Sequence, residues 1–201
     1  MIVFEYESAG MYICMADISA ADPDRTDGFS EGRIKKLSRL KNEKERKRSA
    51  CAELTLIHAV KKLFPGCALP VAYAYDTNGK PYFTELKDVW FSLSHSGGYA
   101  ACAVCASPVG LDIQTERKRS EGIMRRCFTE KERELASDDG SFTAVWARKE
   151  AVSKAVGLGL QIGFSDIDVT GDTVIYNGSR YSVEDIDCRA DGCRMAAARL
   201  I

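Results

Sequence analysis

Three short stretches of this 201-residue chain carry residue types that can act together. In GLDIQ (110–114) the two-residue period of a strand puts Leu111 and Ile113 on one face and Gly110, Asp112 and Gln114 on the other. A carboxylate and an amide then stand side by side, and glycine at 110 is expected to leave room beside Asp112 for a bulky ligand group. In WARKEAVSK (146–154) the helix period aligns Trp146, Glu150 and Lys154, next to an apolar stripe of Val145, Val152 and Val156. In FSLSHSGG (91–98) one of only two histidines, His95, sits where an aromatic and aliphatic run breaks into a tight turn.

Each residue alone has a plain reading. Glu150 and Lys154 would make a surface ion pair contributing about 0.3–0.5 kcal/mol at most. Asp112 would be a strand-end residue satisfied by a turn amide, and His95 a hydrogen-bonded structural histidine. Together they suit a hard cation. Mg²⁺ prefers oxygen ligands and is usually held by one or two carboxylates, with substrate phosphates and water completing the octahedron. Asp112 and Glu150 meet that minimum, while His95 and Lys154 add positive charge or donors for phosphate oxygens. The pattern asks for a polyphosphate-type substrate.

Charge is segregated in a way that agrees. RIKKLSRLKNEKERKR (33–48) holds Arg33, Lys35, Lys36, Arg39, Lys41, Lys44, Arg46, Lys47 and Arg48 against two acids, whereas the last 40 residues or so are rich in Asp and Glu. The net charge of −1 and the lack of aromatics in the basic run argue against a nucleic-acid-binding module. A serine hydrolase is argued against by strand geometry, since Ser94 and Ser96 point away from the face that carries His95. Eight cysteines invite a zinc or disulfide reading. Cys102 and Cys105, however, lie three apart in a buried-looking strand and face opposite sides, and Cys188 and Cys193 have no matching partner motif. Reduced, buried thiols in a cytoplasm fit better, with no signal peptide and no membrane-spanning stretch.

The elements that must position these residues alternate between strands and helices. MIVFEY and MYICMADI read as a strand pair. Ser30 can cap a short basic helix, and Asn42 with Glu45 opens a longer one that buries Ala50, Leu54, Ile57 and Phe64. Asn78-Gly79 signals a hairpin. VWFSLS, YAACAVCA and VGLDIQ follow as strands, then two short helices, a longer one through 141–157, and three or four short strands over 164–200. The chain is therefore expected to be α+β, with two similar α/β lobes, residues 1–108 and 109–201, dividing at Pro108.

GKP (79–81), SLSHSGG (92–98), VGLDIQ (109–114), FTEKE (128–132) and WARKEAVSKAVGLGL (146–160), in this order and spacing, resemble the 4′-phosphopantetheinyl transferases of the two-lobed, surfactin-synthetase-activating type. The resemblance implies two lobes in a pseudo-two-fold arrangement with coenzyme A in the cleft between them. It implies transfer of the phosphopantetheine arm to a serine of an acyl or peptidyl carrier protein, in fatty acid, polyketide or nonribosomal peptide synthesis, leaving 3′,5′-ADP. Carried over by position, His95 matches a phosphate contact, with Ser94 beside it as a backbone or hydroxyl contact. Lys80, Pro81 and Arg48 match residues around the adenosine and its 3′-phosphate, where Arg33 and Lys36 also fall. Asp112 and Glu150 match ligands of Mg²⁺, with Mn²⁺ as an alternative, and Lys154 matches the lysine near the leaving phosphate. Catalytic roles fall to Glu150, Lys154 and Asp112. Gln114 stands where many relatives carry a third metal-binding glutamate, so it would serve as a weak ligand or through a water. The expected protein is a cytoplasmic monomer with coenzyme A and a carrier protein as partners. It would touch neither nucleic acid nor membrane. The rival of the same fold is a coenzyme A binder without turnover.

Overall fold

The computed structural model describes residues 1–201, the side chain of Leu160 excepted, so the last residue of the 146–160 motif lies outside the described side chains. β1 (Ile2–Ser8) and β2 (Met11–Asp17) form a hairpin whose turn residues Ala9 and Gly10 both have positive φ. The basic run folds as α1 (Glu31–Ser38) and the start of α2 (Glu43–Leu63). Each is capped as its sequence predicts: the Ser30 hydroxyl accepts from the Arg33 amide, and the Asn42 side chain accepts from the Glu45 amide. β3 (Tyr73–Tyr75) and β4 (Pro81–Phe83) are the expected hairpin. β5 (Trp90–Ser96), β6 (Tyr99–Cys105) and β7 (Val109–Thr115) follow, then the short helices α3 (Glu121–Cys127) and α4 (Glu130–Leu135). α5 (Asp139–Val156) starts at a capping box of Asp138 and Ser141 and ends at Gly157, whose φ of 86° is the left-handed stop that glycine supplies most cheaply. The C-terminal strands number three, β8 (Thr173–Tyr176), β9 (Ser179–Ile186) and β10 (Cys193–Leu200).

These strands make two four-stranded antiparallel sheets and a separate small hairpin of β3 and β4. The first sheet runs β1-β2-β6-β5 and the second β7-β10-β9-β8, so the chain passes from one to the other at Pro108. β2 and β6 are buried along almost their whole length, which explains why MYICMA and YAACAVC are continuous apolar runs rather than alternating ones. One face of the first sheet, carrying Tyr12, Cys14, Cys102 and Val104, packs on Leu56 and Val60 of α2. The other face, carrying Met11, Ile13, Met15, Ala101 and Ala103, packs on Leu111, Ile113, Met195 and Ala197 of the second sheet. The far side of the second sheet is covered by α5, whose Ala151, Val152 and Ala155 meet Val183, Ala196 and Ala198. The order of layers is α2, first sheet, second sheet, α5. All eight cysteines are free, and Cys102 and Cys105 point into different cores as their spacing implied.

α5 holds a departure from its sequence pattern, because two of its charged residues are buried. Lys149 is fully buried and lies 2.7 Å from the equally buried Glu132. Its Nζ also donates to the carbonyls of Phe164 and Ile167, at 2.7 and 2.6 Å. Glu132 accepts from the amides of Thr129, at 2.7 Å, and Val169, at 2.8 Å. All three ammonium hydrogens and both carboxylate oxygens of this pair have partners, the condition under which a buried ion pair is tolerated. Lys149→Met would strand the Glu132 charge and should cost about 3–5 kcal/mol in urea unfolding. The double change Lys149→Met/Glu132→Leu should cost less than the two single changes summed.

Candidate active site

The site is built where α5 crosses β7. A Cβ on Gly110 would lie 2.0 Å from the carbonyl oxygen of Ala151 and 2.4 Å from the amide nitrogen of Ala155. The room that glycine leaves at 110 is therefore filled by helix backbone and not by a ligand, which corrects the sequence expectation. This contact brings Lys154 onto Asp112, two residues along the same face of β7. Lys154 Nζ lies 2.7 Å from Asp112 Oδ1 and also donates to the Leu111 carbonyl at 2.9 Å and to Ser94 Oγ at 3.1 Å. Ser94 Oγ donates to Asp112 Oδ1 at 2.8 Å and accepts from the Ile113 amide at 3.2 Å. Gln114 Nε2 donates to Asp112 Oδ2 at 2.8 Å. Both oxygens of the buried Asp112 carboxylate are thus held.

Lys154 therefore pairs with Asp112 rather than with Glu150, and the surface ion pair is set aside. Trp146, Glu150 and Lys154 are all half-buried, as the helix period predicts for the border of a packed face. The Glu150 carboxylate has no hydrogen bond or ion pair among the described residues. Burial, and then the negative charge of Asp112, push its pKa above the ordinary glutamate value, with Lys154 and Arg117 opposing. Asp112 and Glu150 hence repel one another across the site, which is the electrostatic condition a cation relieves. Among the described residues no group of three or more His, Cys, Asp or Glu side chains could hold a metal. The donor set is two carboxylates and the Gln114 amide oxygen. That set fits a hard cation completing its shell from phosphate and water.

His95 lies on the opposite face of β5 from Ser94 and Ser96 and is exposed. Desolvation, and then the charge of Arg48, lower its pKa below the ordinary imidazole value. Arg48 pairs with Glu45 at 2.6 Å and reaches the Gly97 carbonyl at 3.4 Å, while its buried Nε has no partner among the described residues. Lys80 Nζ donates to the Ala155 carbonyl near the end of α5, at 2.5 Å, and burial pushes its pKa down to about 8. Beside it is a cavity of about 270 Å³, whose walls include Tyr75, Gly79, Lys80, Pro81, Phe91 and Lys154. GKP and the end of the α5 motif thus meet on one cavity. Lys36 lies 5.5 Å from the ring centroid of Tyr75. Arg33 is turned inward, with Nε 3.1 Å from the buried Glu53 and a guanidinium hydrogen bond to the Ser49 carbonyl, so it is not brought to the cavity. A larger cavity, of about 560 Å³, lies by the β1–β2 turn and is lined by none of the site residues.

Ser96 was weighed from the sequence only as a nucleophile to exclude, and Ser92 was not named. Ser92 and Ser96 bond to β7 on either side of Ser94, through the amides of Leu111 and Thr115. The available signal was serine at every second position of a strand that should bury that face.

Residues 108–190 match the model of the 4′-phosphopantetheinyl transferase superfamily. A 4′-phosphopantetheinyl transferase of Bacillus subtilis is 26% identical over 159 residues, 76% of this chain and 71% of the relative. One from Bacillus pumilus is 30% identical over 128 residues, 59% of this chain and 54% of the relative. A holo-[acyl-carrier-protein] synthase of Campylobacter curvus is 35% identical over 68 residues, 30% of this chain and 60% of the relative. Residues 108–190 of the chain are thus similar to the 4′-phosphopantetheinyl transferase superfamily, and the similarity to a transferase of that name extends over 76% of the chain.

Gly110→Ala should force α5 off β7 and cost about 3 kcal/mol or more in thermal or urea unfolding. The depressed pKa of Lys80 means that the fold penalises its ammonium. The penalty is present below pH 8 and fades as pH rises from about 8 toward the unfolded value of 10.5. Lys80→Met should therefore lose the part of the stability rise between pH 8 and 10 that Lys80 causes. Paired melting curves of wild type and variant across that range measure it.

Proposed function

We propose that this chain transfers the 4′-phosphopantetheine group from coenzyme A to a serine of an acyl or peptidyl carrier protein and releases 3′,5′-ADP. The observation that carries the reading is Lys154, whose Nζ bonds both Ser94 of β5 and Asp112 of β7 while Glu150, one helical turn earlier, has its pKa raised by burial and by the charge of Asp112. Four of the five ordered motifs thereby converge on one place, since GKP joins through Lys80 and Ala155.

In the reaction the carrier serine oxygen forms a bond to the β-phosphorus of coenzyme A, and the bond from that phosphorus to the bridging oxygen breaks. Asp112 and Glu150 would hold Mg²⁺ or Mn²⁺, with Gln114 acting weakly or through a water. When bound, the cation neutralises charge on the pyrophosphate. Glu150 takes the serine proton. Lys154 donates to the leaving oxygen of 3′,5′-ADP. Lys80, Arg48 and His95 bind phosphate groups, with Lys36 at the periphery, and the adenosine occupies the cavity against Tyr75 and Pro81. Ser94, already committed to Asp112 and Lys154, orients them rather than attacking. Residues 1–108 and 109–201 act as the two lobes, related by a pseudo-two-fold axis, and one chain supplies both sides of the cleft, so a cytoplasmic monomer suffices.

A second reading is a coenzyme A binder without turnover. It is favoured by Gln114, which donates to Asp112 where an acid would add a third negative charge.

Incubation with coenzyme A, Mg²⁺ and several apo carrier proteins should add the phosphopantetheine mass to the carrier. Coenzyme A binding with no mass gain on any carrier would favour the silent binder. Asp112→Ala and Glu150→Gln should each lower the rate of mass gain by at least about a hundredfold with the far-ultraviolet circular dichroism unchanged. Near-normal turnover in either would remove that residue from its role.

A further inference from the structure

We propose that Ser92 and Ser96 are positioning residues that lock the register of the two sheets across the site; the kinetic arm of the test rests on the transferase reading. β5 is an edge of the first sheet and β7 an edge of the second, and no backbone ladder joins them. β7 pairs antiparallel with β10 on one side only, so its alternate amides face the open edge. Those amides are taken by hydroxyls. The amide of Leu111 donates to Ser92 Oγ at 3.0 Å, that of Ile113 to Ser94 Oγ at 3.2 Å, and that of Thr115 to Ser96 Oγ at 2.9 Å. Donor and acceptor are 19 residues apart on every rung, so the strands run parallel and in step.

The side chains are unexpected for their place. On this face of the first sheet β2 and β6 carry Met11, Ile13, Met15, Ala101 and Ala103, yet β5 carries serine opposite Ala101 and Ala103. Ser92 is 5% exposed, a position where an unused hydroxyl or an unpaired β7 amide is costly. The far end of the ladder is closed by the hairpin tip, because a Cβ on Gly97 would lie 2.2 Å from Thr115 Cγ2. Ser96 Oγ also meets Thr115 Oγ1 at 3.2 Å. Ser94 touches Asp112 and Lys154, but Ser92 and Ser96 bond only to β7 at Leu111 and Thr115, so any effect they have on turnover acts through alignment. A slip of one rung would carry His95 past Asp112 by about 7 Å, two residues of strand rise.

The test compares Ser92→Ala, Ser96→Ala and Ser96→Thr with wild type at a temperature where circular dichroism shows all four folded. Amide exchange read by nuclear magnetic resonance should accelerate at least about tenfold at Leu111 in Ser92→Ala and at Thr115 in Ser96→Ala. The kcat/KM for coenzyme A should fall about tenfold in both alanine variants, with the carrier KM within about twofold of wild type. Ser96→Thr should return kcat/KM to within about threefold. Wild-type exchange and kinetics in both alanine variants would overturn the proposal. So would losses that disappear when glycerol restores their melting temperatures, since that marks stability alone. If wild type transfers nothing to any carrier, the transferase reading fails separately. The exchange rates and coenzyme A affinity by calorimetry then decide the ladder, with the same tenfold changes expected.

Discussion

The constraint on which this structure depends is the backbone contact between α5 and β7. Helices usually rest on a sheet across a layer of side chains. Here Gly110 has no side chain, and the stripe it meets, Ala147, Ala151 and Ala155, spaced one helical turn apart, carries only methyl groups. On β10 the facing residues Ala196 and Ala198 are equally small. Stripping both surfaces to alanine and glycine lets the helix axis drop toward the sheet, and the polar residues that flank the stripe drop with it. Lys154 can then reach the Leu111 carbonyl and the Asp112 carboxylate together, which a helix held off by leucine or valine could not do. Small residues beside a charged pair here mark proximity, and the chemistry follows from it.

Rotation of α5 about its axis is governed by neighbouring charges that look alike in sequence and do unlike things. Arg148 donates to the carbonyls of Val169 and Gly171, at 2.8 and 2.5 Å, and to Asp185 at 3.0 Å, tying down the segment that follows α5. Lys149 is sunk in the core on Glu132. Glu150 alone is left at the border. Successive helical residues point about 100° apart, so fixing the first two in buried hydrogen bonds leaves the third no freedom of direction. The capping box of Thr129 and Glu132 belongs to the same arrangement: it starts α4 and supplies the anion that anchors Lys149. FTEKE and WARKE are thus coupled in space through the buried pair of Glu132 and Lys149. This accounts for two of the recognised motifs being needed to orient one carboxylate.

The elements were legible where a local signal decided them. Ser30 and Asn42 start helices through their own side chains and Gly157 ends one through its φ, so no distant residue is needed to read them, whereas the caps Thr129 and Asp138 were not read and α5 begins two residues before its expected start. The meeting of Asp112 with Lys154 was half legible: each face followed from its period, but the period cannot say that the helix comes close enough to touch. Arg33 shows the opposite limit. Its place in a basic run predicts a solvated or phosphate-binding side chain, whereas Glu53, 20 residues on, and the Ser49 carbonyl draw it inward. The serines of β5 were read against strand geometry only to exclude a proton-sharing nucleophile. Their partners on β7 lie in the other sheet, so the alternating serines of SLSHS mark a polar face but do not say what it meets.

Taken together, these contacts say how such a site can be stable with its charges unspent. Asp112 would be an uncompensated buried anion were it not for Lys154, Ser94 and Gln114, and Lys154 would be a half-buried cation without Asp112. Each therefore stands in for the other's eventual partner. In the proposed reaction, a pyrophosphate bound together with a cation would offer Lys154 an anion and Asp112 a cation. A cation there would also relieve the part of the strain on Glu150 that comes from the charge of Asp112, burial being the larger part. The amide of Gln114 bears on this balance: it donates to Asp112 where a carboxylate would repel it, which makes the closed pair firmer and the open site less negative. In the proposed reaction a chain with glutamine there would hold a cation mainly when the substrate's own phosphates come with it, because two carboxylates give a weaker field than three.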